Sequence, residues 1–294
     1  MDVYLNLKII PKNIILIYSN MLLSENQKNK LRGKLSEYGL LIKKNINPPK
    51  NYKLVFSDEF KENLDLNKWR YGFNWGNFHP DYPYQYYDNS GECVNCKDNV
   101  LNLSVKNIPK DFILNHEIKT IPYATGLITS RMDFHYGWFE AQIRLPKGKY
   151  LWNSYWLGGS ITWPPEADIF EGYSGNDGLY KKRCIKNCKI QPNLHFGNIT
   201  DGSKSQYKPY DVRVKNAADR FVTYVCHWEK EYIRIYYDGM LIFECTDKKI
   251  LEYYNRRTDK MMVILGNGLR PDYKGDFDEI QPFQIKYVKV YQKK

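Results

Sequence analysis

The chain of 294 residues has no apolar run long enough to cross a membrane. Its apolar run at residues 14–18 is far shorter than the about 20 residues that a membrane-spanning helix needs. The same run makes a poor secretory signal, because Pro11 and Lys12 precede it and Ser19 follows it at once. We therefore expect no membrane span, and the sequence does not identify the compartment in which the protein acts.

Signals of nucleotide or nucleic-acid binding are also missing. The chain contains no glycine-rich phosphate loop, no long repeat and no low-complexity tract. The 44 Lys and Arg residues outnumber the 33 Asp and Glu residues and give a formal net charge of +11. These basic residues are scattered and form no stripe, so we expect no nucleic-acid partner.

Cysteine is present in only six copies, and their spacing leaves three states open. Cys93 and Cys96 form one close pair, and Cys184 and Cys188 form another. The four thiols together can bind a structural zinc ion, each pair can close a small loop disulfide, or all can stay reduced. The remaining two cysteines lie on strand-like runs and are expected to be ordinary buried residues.

Aromatic residues, in contrast, are abundant, with 26 Tyr and 7 Trp in the chain. Tyr and Trp favour β-strands, and turn residues separate many short alternating runs. Asp238-Gly239 lies between two such runs and is a strong signal for a two-residue hairpin. Residues 221–228 and 260–265 indicate further strands, the second of them buried. The pattern predicts an all-β domain, a β-jelly-roll sandwich of two antiparallel sheets.

Residues 1–48 differ from the rest of the chain. Ser24 opens a polar, Lys-rich stretch that ends before Gly39, which predicts a short helix with an N-cap and a glycine stop. A proline pair marks the junction between this segment and the strand-rich part of the chain. We therefore predict an N-terminal extension at residues 1–48 and a β domain at residues 49–294. The extension is expected to pack on the domain surface, and the sequence assigns it no function.

Three carboxylates within six residues, Glu166, Asp168 and Glu171, are the most informative feature. The apolar residues between them indicate a half-buried strand, on which Glu166 and Asp168 share a face. Strict alternation puts Glu171 on the opposite face, and one extra residue, a β-bulge, returns it to the face of the other two. A helix that begins at Pro164-Pro165 is one alternative, and a solvated charged face is the plainest explanation. Acids collected on one face repel each other, so a fold that needs only stability has no reason to collect them. A site that must hold one carboxylate ionised and its neighbour protonated does have a reason.

Glycoside hydrolysis uses such a pair of carboxylates, and the sequence around the motif resembles glycoside hydrolase family sixteen. This family includes laminarinases, lichenases, agarases and κ-carrageenases. The runs that carry the resemblance, in the family's order, are residues 54–60, 64–69, 125–130, 136–146, 151–158 and 283–291. The resemblance covers roughly residues 50–294 and implies a jelly roll with a concave substrate cleft.

The resemblance implies a role for each acid of the motif. Glu166 matches the family's nucleophile, Glu171 its general acid/base, and Asp168 the auxiliary acid between them. A retaining mechanism needs the two catalytic carboxyls about 5–5.5 Å apart, which two long Glu side chains over a concave sheet can reach. Ala167 departs from the family, which usually has a larger aliphatic residue here, and we expect a packing change without loss of chemistry.

Aromatic and polar residues near the motif are candidates for sugar contacts, because aromatic rings stack on the apolar faces of sugars while their polar edges stay hydrated. The candidates are Trp152, Trp163, Trp75, His195 and Arg131. The first two lie beside the predicted catalytic strand, Trp75 lies in a predicted rim loop, and the other two match polar family positions near the cleft. A structural histidine is an equally good explanation of His195. Trp156 is expected in the core.

Many members of the family bind calcium away from the cleft through an acidic residue on the closing strand. In this chain the matching position is Lys286. An ammonium group cannot supply the oxygen donor that calcium needs, although it can occupy the place of the cation. We therefore expect no calcium site. Apart from the zinc alternative at the cysteines, we expect no metal and no cofactor.

Motif and resemblance together predict a retaining endo-β-glycosidase, laminarinase-like, that acts on a β-1,3- or mixed-linked glucan. The main alternative is an endo-β-galactanase of agarase or carrageenase type, since the net charge of +11 would attract an anionic galactan. A transglycosylase shares the covalent intermediate, and a non-catalytic glycan-binding lectin shares the fold, but intact Glu166 and Glu171 argue against the lectin. We expect a monomer. Family members mostly act outside cells, so the poor secretory signal leaves the localisation open.

Overall fold

The computed structural model of the chain describes residues 23–79, 81–114, 116–173, 187–197, 203–207, 210–256, 260–273, 275 and 277–294. The helices in these residues are α1 (Glu25–Glu37) and α2 (Lys248–Tyr254). The strands are β1 (Tyr52–Asp58), β2 (Trp69–Tyr71), β3 (Gln85–Tyr87), β4 (Val94–Lys97), β5 (Val100–Leu103), β6 (Val105–Leu114), β7 (Glu117–Thr125), β8 (Leu127–Phe134), β9 (Gly137–Arg144), β10 (Lys147–Lys149), β11 (Leu151–Gly159), β12 (Glu166–Tyr173), β13 (Asn187–Gly197), β14 (Lys204–Gln206), β15 (Val212–Lys215), β16 (Val222–Glu229), β17 (Tyr232–Tyr237), β18 (Met240–Cys245), β19 (Met261–Leu269), β20 (Asp278–Gln281) and β21 (Phe283–Lys293).

Two large antiparallel sheets form the body of the protein. The back sheet has the order β18-β17-β16-β9-β21-β5-β4, and β1 pairs with β21. The cleft sheet has the order β14-β13-β12-β11-β19-β8-β2, and β15 pairs with β13. Neighbours in these orders are often distant in the chain, as in a jelly roll. The predicted fold, a sandwich of two antiparallel sheets, is confirmed.

The main core lies between the two sheets and is rich in aromatic residues. Phe170 of the cleft sheet lies 4.6 Å, centroid to centroid, from Tyr224 of the back sheet, and both are fully buried. Burying a large apolar side chain contributes roughly 1.5–3 kcal/mol, so such pairs fix the two sheets against each other. Ala167 also belongs to this core, on the face of β12 opposite the acids, as expected.

The strand and turn predictions agree with the structure. Asp238 (φ 52°) and Gly239 (φ 79°) join β17 to β18 in a two-residue turn. Two positive φ values in succession give the turn the twist that an antiparallel hairpin needs. Every residue of β19 is buried, as the apolar run at residues 260–265 predicted.

Helix α1 has the start and stop that the sequence predicted. The Ser24 side chain accepts a hydrogen bond from the Gln27 backbone, and the Gln27 side chain accepts one from the Ser24 backbone. This capping box pairs two backbone N–H groups that the first helical turn leaves free. Gly39 follows with φ 66°, a conformation that glycine adopts without strain.

The described part of the predicted extension lies on the sandwich. Helix α1 contacts β18 of the back sheet and β15 of the cleft sheet. Further along, the Lys44 N–H donates to the Gly239 carbonyl, and Ile46 packs on Tyr52 and Trp138. Residues 1–22 lie outside the described residues, and the division of the chain near residue 48 stays a prediction. Neither helix in the described residues is long and apolar enough to span a membrane.

The described cysteines are free thiols. Cys93 and Cys96 are both reduced, so this pair does not form the loop disulfide. Cys226 and Cys245 are buried on strands, as expected. Burial raises the pKa of Cys245 to about 12, which keeps its thiol protonated. Cys184 and the side chain of Cys188 lie outside the described residues, and a zinc site or disulfide there stays untested.

Candidate active site

The three acids of the motif lie on β12, which carries the predicted bulge. Against β11, Tyr155 pairs with Phe170 and Trp156 pairs with Asp168, so Ile169 between them is the extra residue. The register against β13 shifts at the same place. The bulge brings the side chains of Glu166, Asp168 and Glu171 to one cavity. The strand prediction is confirmed, and the helical alternative is wrong.

Core contacts hold the bulge in place. Ile169 and Phe170 are both fully buried between the sheets, where regular alternation would bury only one of them. The extra residue of a bulge lacks a ladder partner, and here the hydroxyl of Tyr237, on the back sheet, donates to the Ile169 carbonyl at 2.6 Å. The back sheet therefore satisfies the irregular backbone on which the position of Glu171 depends.

Helix α2 fixes the backbone on the other side of the motif. The Tyr253 hydroxyl donates to the Pro164 carbonyl at 3.0 Å. The Tyr254 hydroxyl donates to the carbonyls of Glu166 and His195, the latter at 2.8 Å. Asp247 caps the start of the helix through the backbone N–H groups of its first turn. Two consecutive tyrosines thus tie the start of β12 to β13.

The cavity on the cleft sheet has a volume of about 640 Å³, in the range of ligand sites. Side chains of β11, β12 and β13 line it, together with several from residues 73–87 and from β19. Most of the lining residues are aromatic, acidic or amide-bearing. Such a surface can stack on sugar rings and hydrogen-bond their hydroxyls.

Each of the two outer acids receives an indole N–H. Trp163 Nε1 donates to Glu166 Oε2 at 2.7 Å, and Trp152 Nε1 donates to Glu171 Oε1 at 3.0 Å. His195 Nε2 lies 3.4 Å from Glu166 Oε1, and the Tyr173 hydroxyl donates to Glu171 Oε1 at 3.1 Å. Both carboxyls can therefore carry negative charge inside the cavity, because donors aimed at the ionised form stabilise it.

Burial dominates the proton affinity of all three acids. It raises the pKa of Glu166 well above its ordinary value, the neighbouring Asp168 raises it further, and His195 and Trp163 lower it. Burial also raises the pKa of Glu171, against hydrogen bonds from Tyr173 and Trp152 that lower it. The three acids therefore resist ionising together, since like charges this close oppose one another.

Asp168 is the most enclosed acid of the three. It is 2% exposed, and its Oδ2 lies 3.4 Å from His195 Nε2 without a hydrogen bond to any described residue. Burial raises its pKa well above the ordinary range, Glu171 adds to the effect, and a hydrogen bond with Glu166 lowers it. Burial and the charge of Glu171 outweigh the hydrogen bond with Glu166, so the Asp168 carboxyl resists ionisation.

The structure brings four of the five predicted sugar contacts to this cavity, namely Trp152, Trp163, Trp75 and His195. Trp163 is 49% exposed and Trp75 is 56% exposed, so both side chains are accessible at the cavity. Trp75 is held by a stacked contact with Phe73 at 4.2 Å. Their contact with substrate stays a prediction.

Two assignments change in the structure. Arg131 is not among the lining residues, because its Nε donates to the backbone carbonyls of Leu66 at 2.6 Å and Trp69 at 3.1 Å. It therefore holds the loop before β2. Trp156, expected in the core, lines the cavity and packs, partly buried, on the small apolar cluster around Ile264, because alternation from Trp152 along β11 puts both rings on the cleft face.

Sequence reasoning missed several lining residues. Tyr173 stands two residues after Glu171 and shares its face, so resumed alternation after the bulge predicts its position. Asn193 precedes His195 by two residues on β13 and shares a face with it in the same way. Tyr82 reaches the cavity from a loop, and no strand period places it.

The described donor groups that could hold a metal ion lie in the acid cluster. Among the described residues, Glu166, Asp168 and His195 are the set of His, Cys, Asp and Glu groups close enough to hold an ion, with ligand atoms within 4.8 Å. These are the residues of the acid cluster itself. Lys286, at the family's calcium position, stands at a bulge of β21 with its ammonium 6.0 Å from the Phe221 ring. The residue at that position does not fit a calcium ligand.

Comparisons with known proteins agree with this fold. The chain is 26% identical to the beta-glucanase of Rhodothermus marinus over 265 residues, 82% of this chain and 85% of that protein. It is 24% identical to glucan endo-1,3-beta-glucosidase A1 of Niallia circulans over 213 residues, which is 67% of this chain but only 30% of that protein. The laminarinase catalytic domain of Thermotoga petrophila RKU-1 superposes with a TM-score of 0.62 at 22% identity, over 84% of this chain and 100% of that one. The model of glycosyl hydrolases family 16 matches residues 83–281, and the chain belongs to this family.

Proposed function

We propose that this protein is a retaining endo-β-glycosidase that hydrolyses a β-1,3- or mixed-linked glucan. One observation carries the proposal: the bulged strand β12 turns Glu166 and Glu171 into one cavity, each with its own indole N–H donor. The names of the relatives support the substrate class, since a beta-glucanase and a glucan endo-1,3-beta-glucosidase are among them.

The reaction we propose has two steps. In the first, the Glu166 carboxylate attacks the anomeric carbon while the Glu171 carboxyl gives its proton to the leaving glycosidic oxygen. The C–O bond to the departing sugar breaks, and a covalent glycosyl ester forms on Glu166. In the second, the Glu171 carboxylate takes a proton from water, and the water oxygen displaces Glu166 from the anomeric carbon. The product is then released, with Glu166 again a free carboxylate and Glu171 again protonated.

The surroundings of each acid support this cycle. Each Glu is ionised at one stage, Glu166 before attack and Glu171 after proton donation. The N–H groups of Trp163 and Trp152 favour those charged forms. Asp168 shares a hydrogen bond with Glu166 and resists ionisation beside it, so it can influence the charge of Glu166, which is the role we propose for the auxiliary acid.

The charge of the cavity supports a neutral substrate over an anionic galactan. None of the described residues that line the cavity is Lys or Arg, whereas four of them are Asp or Glu. A basic group nearby is Lys204, whose ammonium lies 4.7 Å from the centre of the Trp163 ring. The excess positive charge of the chain therefore lies on residues other than those that line the cavity.

The direct test is incubation with a panel of laminarin, lichenan, agarose and carrageenan, followed by identification of the released oligosaccharides. We expect products from laminarin or lichenan. Glu166→Gln and Glu171→Gln should each lose several orders of magnitude in turnover, because the amide keeps the size of the side chain but neither attacks nor transfers a proton. A cooperative thermal unfolding transition at or above the wild-type temperature is the control for folding in both variants, because Gln removes a buried carboxyl whose pKa is raised. Near-normal turnover in either variant would refute the assignment of its role.

The stereochemistry tests the two-step scheme separately. Proton NMR of the first product should show the β-anomer before mutarotation, because double displacement retains configuration. An initial α-anomer would rule out the covalent intermediate and leave a single displacement by water.

A further inference from the structure

Glu171 accepts two hydrogen bonds on the same oxygen. Trp152 Nε1 donates to Oε1 at 3.0 Å, and the Tyr173 hydroxyl donates to the same Oε1 at 3.1 Å. A carboxyl oxygen has two lone-pair sites for hydrogen bonds, so Oε1 is filled. A proton bound to Glu171 must then reside on Oε2.

The two donors are held against each other. Trp152 and Tyr173 are cross-strand partners, and their rings are stacked 5.8 Å apart at 19°. The Arg270 guanidinium lies 5.7 Å from the Tyr173 ring, within the distance of a cation–π contact, and Asp272 binds that guanidinium through two hydrogen bonds. The edge of Tyr82 packs on Trp152 at 5.2 Å.

Tyr173 remains a hydrogen-bond donor over the working pH range. Burial raises its pKa above the ordinary tyrosine value, and the charge of Glu171 raises it further. The phenol therefore keeps its proton and directs it at Oε1. The side chain has no other assigned task, since it neither attacks nor transfers a proton in the proposed reaction.

We propose that Tyr173 is a positioning residue for the general acid, which fills Glu171 Oε1 together with Trp152 and so leaves Oε2 to hold the proton and deliver it to the leaving oxygen. This inference rests on the proposed role of Glu171. It also gives Tyr173 an influence on acid strength, because a donor to the ionised carboxylate lowers its proton affinity.

The test is Tyr173→Phe, which removes the hydroxyl and keeps the ring. A ¹³C NMR titration of the Glu171 carboxyl, identified by its loss in Glu171→Gln, should show a midpoint higher by about one pH unit, a tenfold gain in proton affinity. On laminarin, the alkaline limb of the pH profile of kcat/KM should move to higher pH by the same amount, because this limb reports the pKa of the general acid in the free enzyme. We expect kcat to fall about tenfold with KM within twofold, as for a group that acts in the transition state.

Tyr210→Phe is the matched control. Its hydroxyl is also a single donor, to the Ile242 carbonyl at 2.9 Å, but it is not among the cavity-lining residues. We expect this variant to leave the Glu171 midpoint and the pH profile unchanged. A structural role of Tyr173 alone would lower stability without moving either quantity.

The outcomes separate this inference from the proposed function. An unchanged Glu171 midpoint in folded Tyr173→Phe overturns the inference, whatever the activity. A raised midpoint in a protein that hydrolyses no glucan supports the hydrogen-bond arrangement and refutes the proposed function instead. A raised midpoint together with a raised alkaline limb supports both.

Discussion

At the scale of single residues, the acid cluster combines function with a cost in stability. Asp168 is nearly inaccessible to solvent. Its charge raises the pKa of Glu166, and the charge of Glu171 raises the pKa of Asp168. Burial of a carboxylate disfavours its charged form. A fold selected for stability alone would have a neutral group here, so the cluster is best understood through its chemistry.

Asp168→Asn should raise stability and lower activity. The pKa of Asp168 is raised in the folded protein, so the native state binds the proton more tightly than the unfolded state, whose Asp titrates near about 3.9. The free energy of unfolding therefore falls as pH rises from that value through the native pKa. Asn stays neutral, so the variant should melt at a higher temperature than the wild type at pH 8. The difference in melting temperature should be smaller at pH 4. Turnover should fall at least about tenfold if the auxiliary role holds.

Asp211→Asn is the control of opposite sign. Burial acts to raise the pKa of Asp211, but hydrogen bonds from Lys189 and Gln191 lower it overall. Its contribution to stability is present above the unfolded pKa and is lost as pH falls, so this variant should melt lower than the wild type at pH 8. If Asp168→Asn also melted lower across the whole pH range, burial of the Asp168 carboxyl would not destabilise the native state.

At the scale of elements, α1 closes an exposed sheet edge. β18 ends the back sheet, and an edge strand presents unpaired backbone groups. Asn29 of α1 is 1% exposed and bonds both of these groups on Glu244: its Nδ2 donates to the carbonyl at 2.8 Å, and its Oδ1 accepts from the N–H at 3.1 Å. An amide side chain thus takes the place of a neighbouring strand.

Asn29→Ala should lower the free energy of unfolding by about 2 kcal/mol, because its two partly buried hydrogen bonds to the Glu244 backbone are lost at about 1 kcal/mol each. The hydrogen bond that Asn29 accepts from Arg32 is lost as well. Chemical denaturation measures the change, and activity per folded molecule should be unaffected. Lys30→Ala, at an exposed position of the same helix, should change stability by less than about 0.5 kcal/mol. Equal stability of Asn29→Ala and the wild type would show that α1 does not contribute to the sandwich.

At the scale of the whole molecule, net charge and site charge differ in sign. The chain carries +11, yet the described residues lining the cavity include four acids and no Lys or Arg. Long-range attraction depends on the whole protein, whereas binding in the cavity depends on its lining. The two effects can be separated with salt.

For a neutral glucan, the apparent KM should change less than about threefold as salt rises, although the Debye length shrinks from about 10 Å at 0.1 M to about 3 Å at 1 M. Stacking and hydrogen bonds between uncharged groups are little screened. The apparent KM is obtained from initial rates on laminarin at salt concentrations between about 0.1 M and about 1 M. A steep rise of KM with salt, together with inactivity on laminarin and lichenan, would favour the anionic galactan.

Chelation should leave the protein unaffected. Lys286 presents an ammonium where an oxygen ligand to calcium is expected. The melting temperature in EGTA should equal that in added calcium, because a ligand that binds only the native state would otherwise raise it. A fall of several degrees in EGTA that calcium reverses would contradict this prediction.

The sequence by itself determined the features that depend on neighbours in the chain. Alternation and turn residues predicted the strands and the hairpin at Asp238, capping residues predicted α1, and the spacing of Glu166 and Glu171 predicted a bulge. Each of these follows from local backbone geometry, which a short segment specifies. The tertiary structure decided what depends on contacts between distant segments. It placed Arg131 against the backbone of the loop before β2, brought Trp156 and Tyr82 to the cavity, and supplied Tyr237 to hold the bulge. Such contacts depend on how the two sheets and their loops pack, and no period within one segment encodes that packing.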